Sequence, residues 1–469
     1  MGKRSHRVKP SRTTHDPLHH LCASPQIQSR RVKGRRACFF WGAKRARTAF
    51  SGVTGLSGYP LHLLPERWCV PPKAISGPDS CSGRRDWASL GNDGPAGLIA
   101  EFVLVNDVAD YVRFRAVCGP WRRSVDPRSR GGLDGRYHPR QWLMLDKTIA
   151  GPRCRRFINL STGECIRMDL PELAEHTLLA LTPEGLLLLL HEPTLGVRLL
   201  NPLTRQLTDL PPVTALLTPE QQRARRSGGA SLQKCLSVSG VGLADASTVA
   251  VYFRFPTVLA VAKPGDESWT PVVSNTYMNS TLPFAGRFYC AIGSGVMVLE
   301  SSDSAHQQPP RLVTAVERSR SLSFCRMADS FHLLDNAGEL MAVHRTPRRG
   351  NNEKYRMEYM VYRVDLDAGA LVRVRSLSGR AVFMGLRRAV SVRTEAFPSL
   401  AADTLYPGYD CGEKTNMNRI EGYNVADGSQ PCYHDCCCDE DCCCDEIVQP
   451  CSVVDCISHC IQGSGDHLA

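Results

Sequence analysis

The sequence predicts a mostly β chain, in which a small helical segment leads into a propeller-like domain and disordered N- and C-terminal tails flank both. Three observations carry this. Apolar residues alternate with a period of two across 140–408. Turns rich in Asp and Gly divide that stretch into successive hairpins. A short motif recurs 42 residues apart, near the ~40–50-residue period of propeller blades.

The tails stand out by charge. Residues 1–78 hold 15 Lys and Arg against only Asp16 and Glu66, whereas 409–469 hold two basic and twelve acidic residues. The net charge of +11 therefore describes two opposite ends around a mildly basic body, rather than one charged binding face. Residues 1–85 are rich in Arg, Ser, Pro and Gly and show no periodicity, so a disordered basic extension is expected there. Its clusters Arg30–Arg36 and Lys44–Arg47 admit a nuclear localisation signal, an organellar transit peptide, or an extension with no role. Nucleus or cytoplasm is the expected location, with an organelle as the other outcome. Phe39, Phe40 and Trp41 sit together rather than between the charges, which supports non-specific phosphate attraction and no specific nucleic-acid partner.

The helical segment occupies 86–124. Leu98, Ile99, Phe102 and Val103 fall at helical spacing, and a second stretch starts after Asn106-Asp107, either of which can cap it. That stretch carries Val108, Tyr111, Val112 and Val117, and Gly119-Pro120 is expected to stop it. Two helices this short cannot cover their own apolar surface.

The body follows. Phe157–Leu160 and Cys165–Met168 flank Ser161–Glu164 as a hairpin, and Val249, Val251, Phe253 and Phe255 alternate along one strand. Phe331–Leu334 and Leu340–Val343 flank a second turn, and Met357–Leu366 and Leu371–Val374 a third. Asn159-Leu-Ser-Thr162 with Asp169-Leu-Pro171 is echoed by Asn201-Pro-Leu-Thr204 with Asp209-Leu-Pro211. Periodicity alone admits a propeller of about six units or an array of β-sandwiches, and the echo favours the propeller.

Chemical motifs are absent. No phosphate loop, His-Glu-x-x-His or Gly-x-Ser-x-Gly occurs, so no catalytic residue, no cofactor and no enzyme activity are expected. The longest aliphatic run, Leu186 to Leu190, is five residues, against about 20 for a spanning helix. No membrane association is expected, and with no apolar stretch in the first 30 residues no secretory signal either. The scattered body cysteines then read as reduced thiols. Ten of the 21 cysteines lie within Cys432–Cys460, where Asp435-Cys-Cys-Cys-Asp-Glu440 is repeated as Asp441-Cys-Cys-Cys-Asp-Glu446. Adjacent cysteines do not match folded zinc modules; a loose Zn or Cu(I) site and an idle duplicated tail both remain open, and no metal ligand is assigned.

Taken in order, several of these residues resemble a known family. Trp87-Ala-Ser-Leu90, Gly97-Leu-Ile-Ala-Glu101, Asp107–Cys118 and Pro120-Trp-Arg122 look like a plant F-box. Asn201-Pro-Leu-Thr204, Glu339–Val343, Val361–Asp365, Gly379–Phe383 and Asp403–Tyr406 are similar to the propeller domain of a grass F-box family. The resemblance implies a substrate-recognition subunit of a cullin-type (SCF) ubiquitin ligase. Its helices would bind a Skp-family adaptor, and through it a cullin, while the propeller holds an unknown protein substrate. On this reading the partner-binding face comprises Leu90, Leu98, Ile99, Val112, Val117 and Trp121. One feature departs from the family pattern: its Leu-Pro is Leu90-Gly91 here, and Pro95 stands where the first helix should begin. The other reading is accordingly a stand-alone propeller interaction protein that has lost ligase coupling.

Overall fold

A computed structural model of the chain describes residues 95–124, 133–145, 154–226, 236–300, 308–319, 324–325, 329–349, 355–385, 388–408, 422–429 and 453–461. The expected basic extension and the repeated Cys motif lie outside these residues. Among the described residues six sheets follow one another along the chain.

The first sheet has three strands, β1 (Trp142–Met144), β2 (Cys154–Asn159) and β3 (Cys165–Asp169). The second holds β4 (Thr177–Leu181), β5 (Leu187–His191), β6 (Gly196–Asn201) and β7 (Gln206–Leu210). The third holds β8 (Ser237–Leu243), β9 (Val249–Phe255), β10 (Val258–Ala262) and β11 (Thr270–Ser274). The fourth runs through β12 (Ser280–Phe284), β13 (Arg287–Ile292), β14 (Gly295–Glu300) and β15 (Arg311–Glu317). The fifth comprises β16 (Ser330–Asn336), β17 (Glu339–Arg349), β18 (Tyr355–Asp365) and β19 (Ala370–Val374). The second to fifth are antiparallel meanders.

The sixth sheet breaks the meander. It contains β20 (Arg380–Met384), β21 (Ala389–Arg393), β22 (Thr404–Pro407) and β23 (Tyr423–Asn424) in the order β21-β20-β22-β23, with β20 and β22 parallel. The sheet region thus ends at Asn424, beyond the expected limit of 408.

Core packing turns these sheets into a ring. One buried cluster joins the second sheet to the third, and others join third to fourth, fourth to fifth and fifth to sixth. Phe157 and Met144 of the first sheet share a cluster with Leu178 and Leu187 of the second. Leu143 and Ile158 share another with Ala381, Phe383 and Val392 of the sixth, which closes the circle. The fold is a six-bladed β-propeller.

Because every blade is covered on both faces, its strands are apolar on both faces. Val249, Val251 and Phe253 point toward the second blade, while Ala250 and Tyr252 point toward the fourth. The run Leu187–Leu190 is wholly buried for the same reason. Near the axis the blades converge: β8 meets β12, and a Cβ at Gly242 would stand 2.5 Å from Pro283. Glycine permits that approach. No helix among the described residues is long and apolar enough to cross a membrane.

Candidate functional site

The helical segment forms three helices, α1 (Pro95–Asn106), α2 (Val108–Ala116) and α3 (Gly119–Ser124). Pro95 opens α1, where its missing N–H costs nothing. Gly119-Pro120 does not merely end α2 but starts α3, since proline's fixed φ suits a first turn.

Asp107 fixes this segment to the propeller. Its carboxylate caps α2 by accepting from the Ala109 backbone N–H at 2.7 Å. It also accepts from Trp142 Nε1 at 2.9 Å and from Asn159 Nδ2 at 2.8 Å, both on the first blade. Arg113 pairs with Asp110 and with Glu164, which lies in the turn between β2 and β3. Val108, Tyr111 and Phe114 of α2 are buried against the first two blades.

The two faces of α1 differ. Ala96, Ala100 and Leu104 are buried against the propeller, at i, i+4 and i+8. Leu98, Phe102 and Val105, at i, i+4 and i+7, are 76%, 71% and 84% exposed. Glu101 is the only charged residue of this helix, so its outward face is an uncovered apolar strip.

The residues expected to form a partner face are distributed as follows. Leu98, Ile99 and Val117 are exposed, and Val112 is half-buried. Trp121 is also half-buried and stacks on Phe114, with ring centroids 4.3 Å apart. Leu90 lies outside the described residues. Phe102 and Val105 were not among the expected residues, although the i, i+4, i+7 spacing with Leu98 was a usable signal.

A second feature lies on the propeller axis, a cavity of about 1150 Å³. Turns between the first two strands of blades two to five line it, as do both ends of β21 and residues 133–141 in front of the three-stranded first blade. Glu184, in the β4–β5 turn, is 5% exposed; Oε1 accepts from the Leu243 N–H at 2.9 Å and Oε2 has no partner. Burial raises its carboxyl above the usual carboxylate range. His138 is also 5% exposed, and neither ring nitrogen has a hydrogen-bond partner. Burial, helped by Arg140, lowers its pKa to about 4. Little in the sequence marks this site, because its residues come from blades far apart in the chain. The one available hint was Glu184, a carboxylate between two strands of leucine. Among the described residues no group of His, Cys, Asp and Glu is placed to hold a metal ion.

The KIB1-4 beta-propeller family pattern matches residues 157–424, more than half of the chain. Among curated proteins none matches. A solved structure, the dihydro-heme d1 dehydrogenase NirN in complex with DHE, aligns at 12% identity over 60% of this chain and 63% of that one. The TM-score is 0.23, too slight a likeness to bear on fold or chemistry. The chain spans less than two thirds of that protein's length.

Proposed function

The chain belongs to the KIB1-4 beta-propeller family, whose domain is typical of plant F-box proteins and generally non-catalytic, and from that premise we propose that it is the substrate-recognition subunit of a cullin-type ubiquitin ligase. The helices dock on a Skp-family adaptor and the propeller holds a protein substrate. Such a subunit works in the nucleus or cytoplasm and performs no chemistry of its own.

The observation that carries this reading is the open face of α1. Leu98, Phe102 and Val105 project away from the propeller, on a helix whose opposite face and whose neighbour α2 are anchored by Asp107 and Leu104. A rigid base under an apolar strip is what a helix-in-groove interface needs, because little order is lost on binding. Anchors of this size contribute about 2 kcal/mol or more each when buried at an interface.

The test is recovery of a purified Skp-family adaptor by the full-length chain and by its Leu98→Asp, Phe102→Asp double variant. Both positions are exposed, so the propeller stays folded. The wild type should retain adaptor and the variant should bind at least about 30-fold more weakly. Equal recovery by both, or none by either, would leave a stand-alone propeller interaction protein.

A further inference from the structure

The axial cavity carries an inference that is independent of adaptor docking. Arg380 on β20 and Arg393 on β21 are directly opposite each other in the sheet register, and both line the cavity. Like charges facing across a strand pair repel. Among the described residues neither guanidinium is within ion-pair distance of a carboxylate, although Asp335 and Glu395 are near enough to be felt by Arg380. Arg380 is held in place: Nε donates to Ser391 Oγ at 2.6 Å, and Ser391 Oγ donates to Asn336 Oδ1 at 2.7 Å. Burial and the neighbouring Arg393 both press its guanidinium toward the neutral form.

The acidic residues of the cavity are already engaged. Asp134 pairs with Arg136, Asp245 accepts the N–H groups of Ser247 and Thr248, and Asp335 accepts that of Gly338. Burial pushes the Glu184 carboxyl above the usual carboxylate range, against the hydrogen bond from Leu243 and the nearby Arg140. Five basic residues also line the cavity, Arg140, Lys263, Arg380, Arg388 and Arg393, and three of them stand at the sixth blade, where the cavity presents positive charge. Moving around the axis from there come His138, in front of the first blade, and Glu184, on the second. Their unpartnered atoms, both ring nitrogens of His138 and Oε2 of Glu184, are closed off from solvent. The volume is on the order of that of small-molecule sites.

We propose that the axial cavity binds a small organic anion, a phosphate or carboxylate, whose charged group is held by Arg380 and Arg393. Paired guanidiniums suit the planar or tetrahedral oxygens of such groups, which they can grip through two hydrogen bonds at once. Binding would relieve the repulsion between the arginines.

The experiment uses the full-length chain at constant ionic strength. Calorimetric titration and thermal midpoints are recorded with glucose 6-phosphate, gluconate, neutral glucose and a Glu-rich dodecapeptide. At least one of the two organic anions should bind saturably and raise the midpoint, and glucose should do neither. Arg393→Gln, exposed at the rim, should weaken that binding at least tenfold while its own midpoint without ligand stays level or rises. Saturable binding by neither anion, undiminished binding to Arg393→Gln, or binding of the acidic peptide alone would overturn the proposal.

Discussion

A single carboxylate links the helices to the blades. Asp107 caps α2 and receives the indole N–H of Trp142 and the amide of Asn159, so three donors converge on two oxygens. Asn159 explains the echo seen in the sequence. Its Oδ1 accepts the backbone N–H groups of Ser161 and Thr162, and Asn201 does the same for Leu203 and Thr204. Each asparagine closes the turn after its strand and sends its amide N–H outward, one to Asp107 and the other to the Tyr137 carbonyl. The repeated residue is thus a turn-former that also ties down the chain preceding the blades. Asp107→Ala should cost about 2–4 kcal/mol, combining a lost helix cap with two donors stripped of a charged acceptor. Urea denaturation followed by tryptophan fluorescence would read this directly, Trp142 being a partner. A change within about 0.5 kcal/mol would mean that water replaces the carboxylate without penalty.

At the level of elements, the helix Val453–Cys460 shows what composition conceals. Acidic residues and cysteines dominate 409–469, yet Val454, Ile457 and Ile461 are buried between the sixth and first blades. The approach is close: a Cβ at Gly385 would lie 2.5 Å from the Ile461 carbonyl oxygen. Ile457→Ala should therefore destabilise by about 2–5 kcal/mol, and Val453→Ala, 37% exposed, by less than about 0.5. Equal effects from the two in thermal melts would show that the helix is not part of the core. The hairpins were legible in the sequence because Asp-Gly turns and apolar alternation are local signals. Strands β2 and β3, β16 and β17, and β18 and β19 pair where those signals placed them. The tail helix was not legible, because three apolar residues spaced 3 and 4 apart are outweighed by a repeated Cys motif. Part of the helical face was legible from spacing, but which side of α1 meets the propeller depends on Trp142 and Tyr137, which lie outside the helix. Apart from Glu184, nothing local marked the cavity, whose arginines, histidine and glutamate come together only when the ring closes.

For the molecule as a whole, that closure is the distinctive question. Each blade is built from one continuous stretch of chain, and among the described residues no strand from either end of the sequence completes the sheet at the other end. The first and sixth blades are therefore joined by side-chain packing, with Val454, Ile457 and Ile461 wedged into the joint, rather than by a shared ladder of backbone hydrogen bonds. A ring of stacked units behaves like a closed repeat array, in which the weakest interface sets where opening begins. The joint between the second and third blades has a larger cluster, and the residues packed into it from outside the sheets include Val213, Leu216 and Leu217, which belong to the direct connection between those two blades. Native-state hydrogen exchange should accordingly find β1, β20 and β22 exchanging on the order of tenfold faster than β9 and β10. Removal of 453–469 should widen that gap, because it exposes Leu143, Phe383 and Val392 while leaving the third blade untouched. If β20 proved as protected as β9, or if the truncation accelerated every blade alike, the ring would be opening as one cooperative unit. The tail helix would then act on global stability rather than as the latch of a joint.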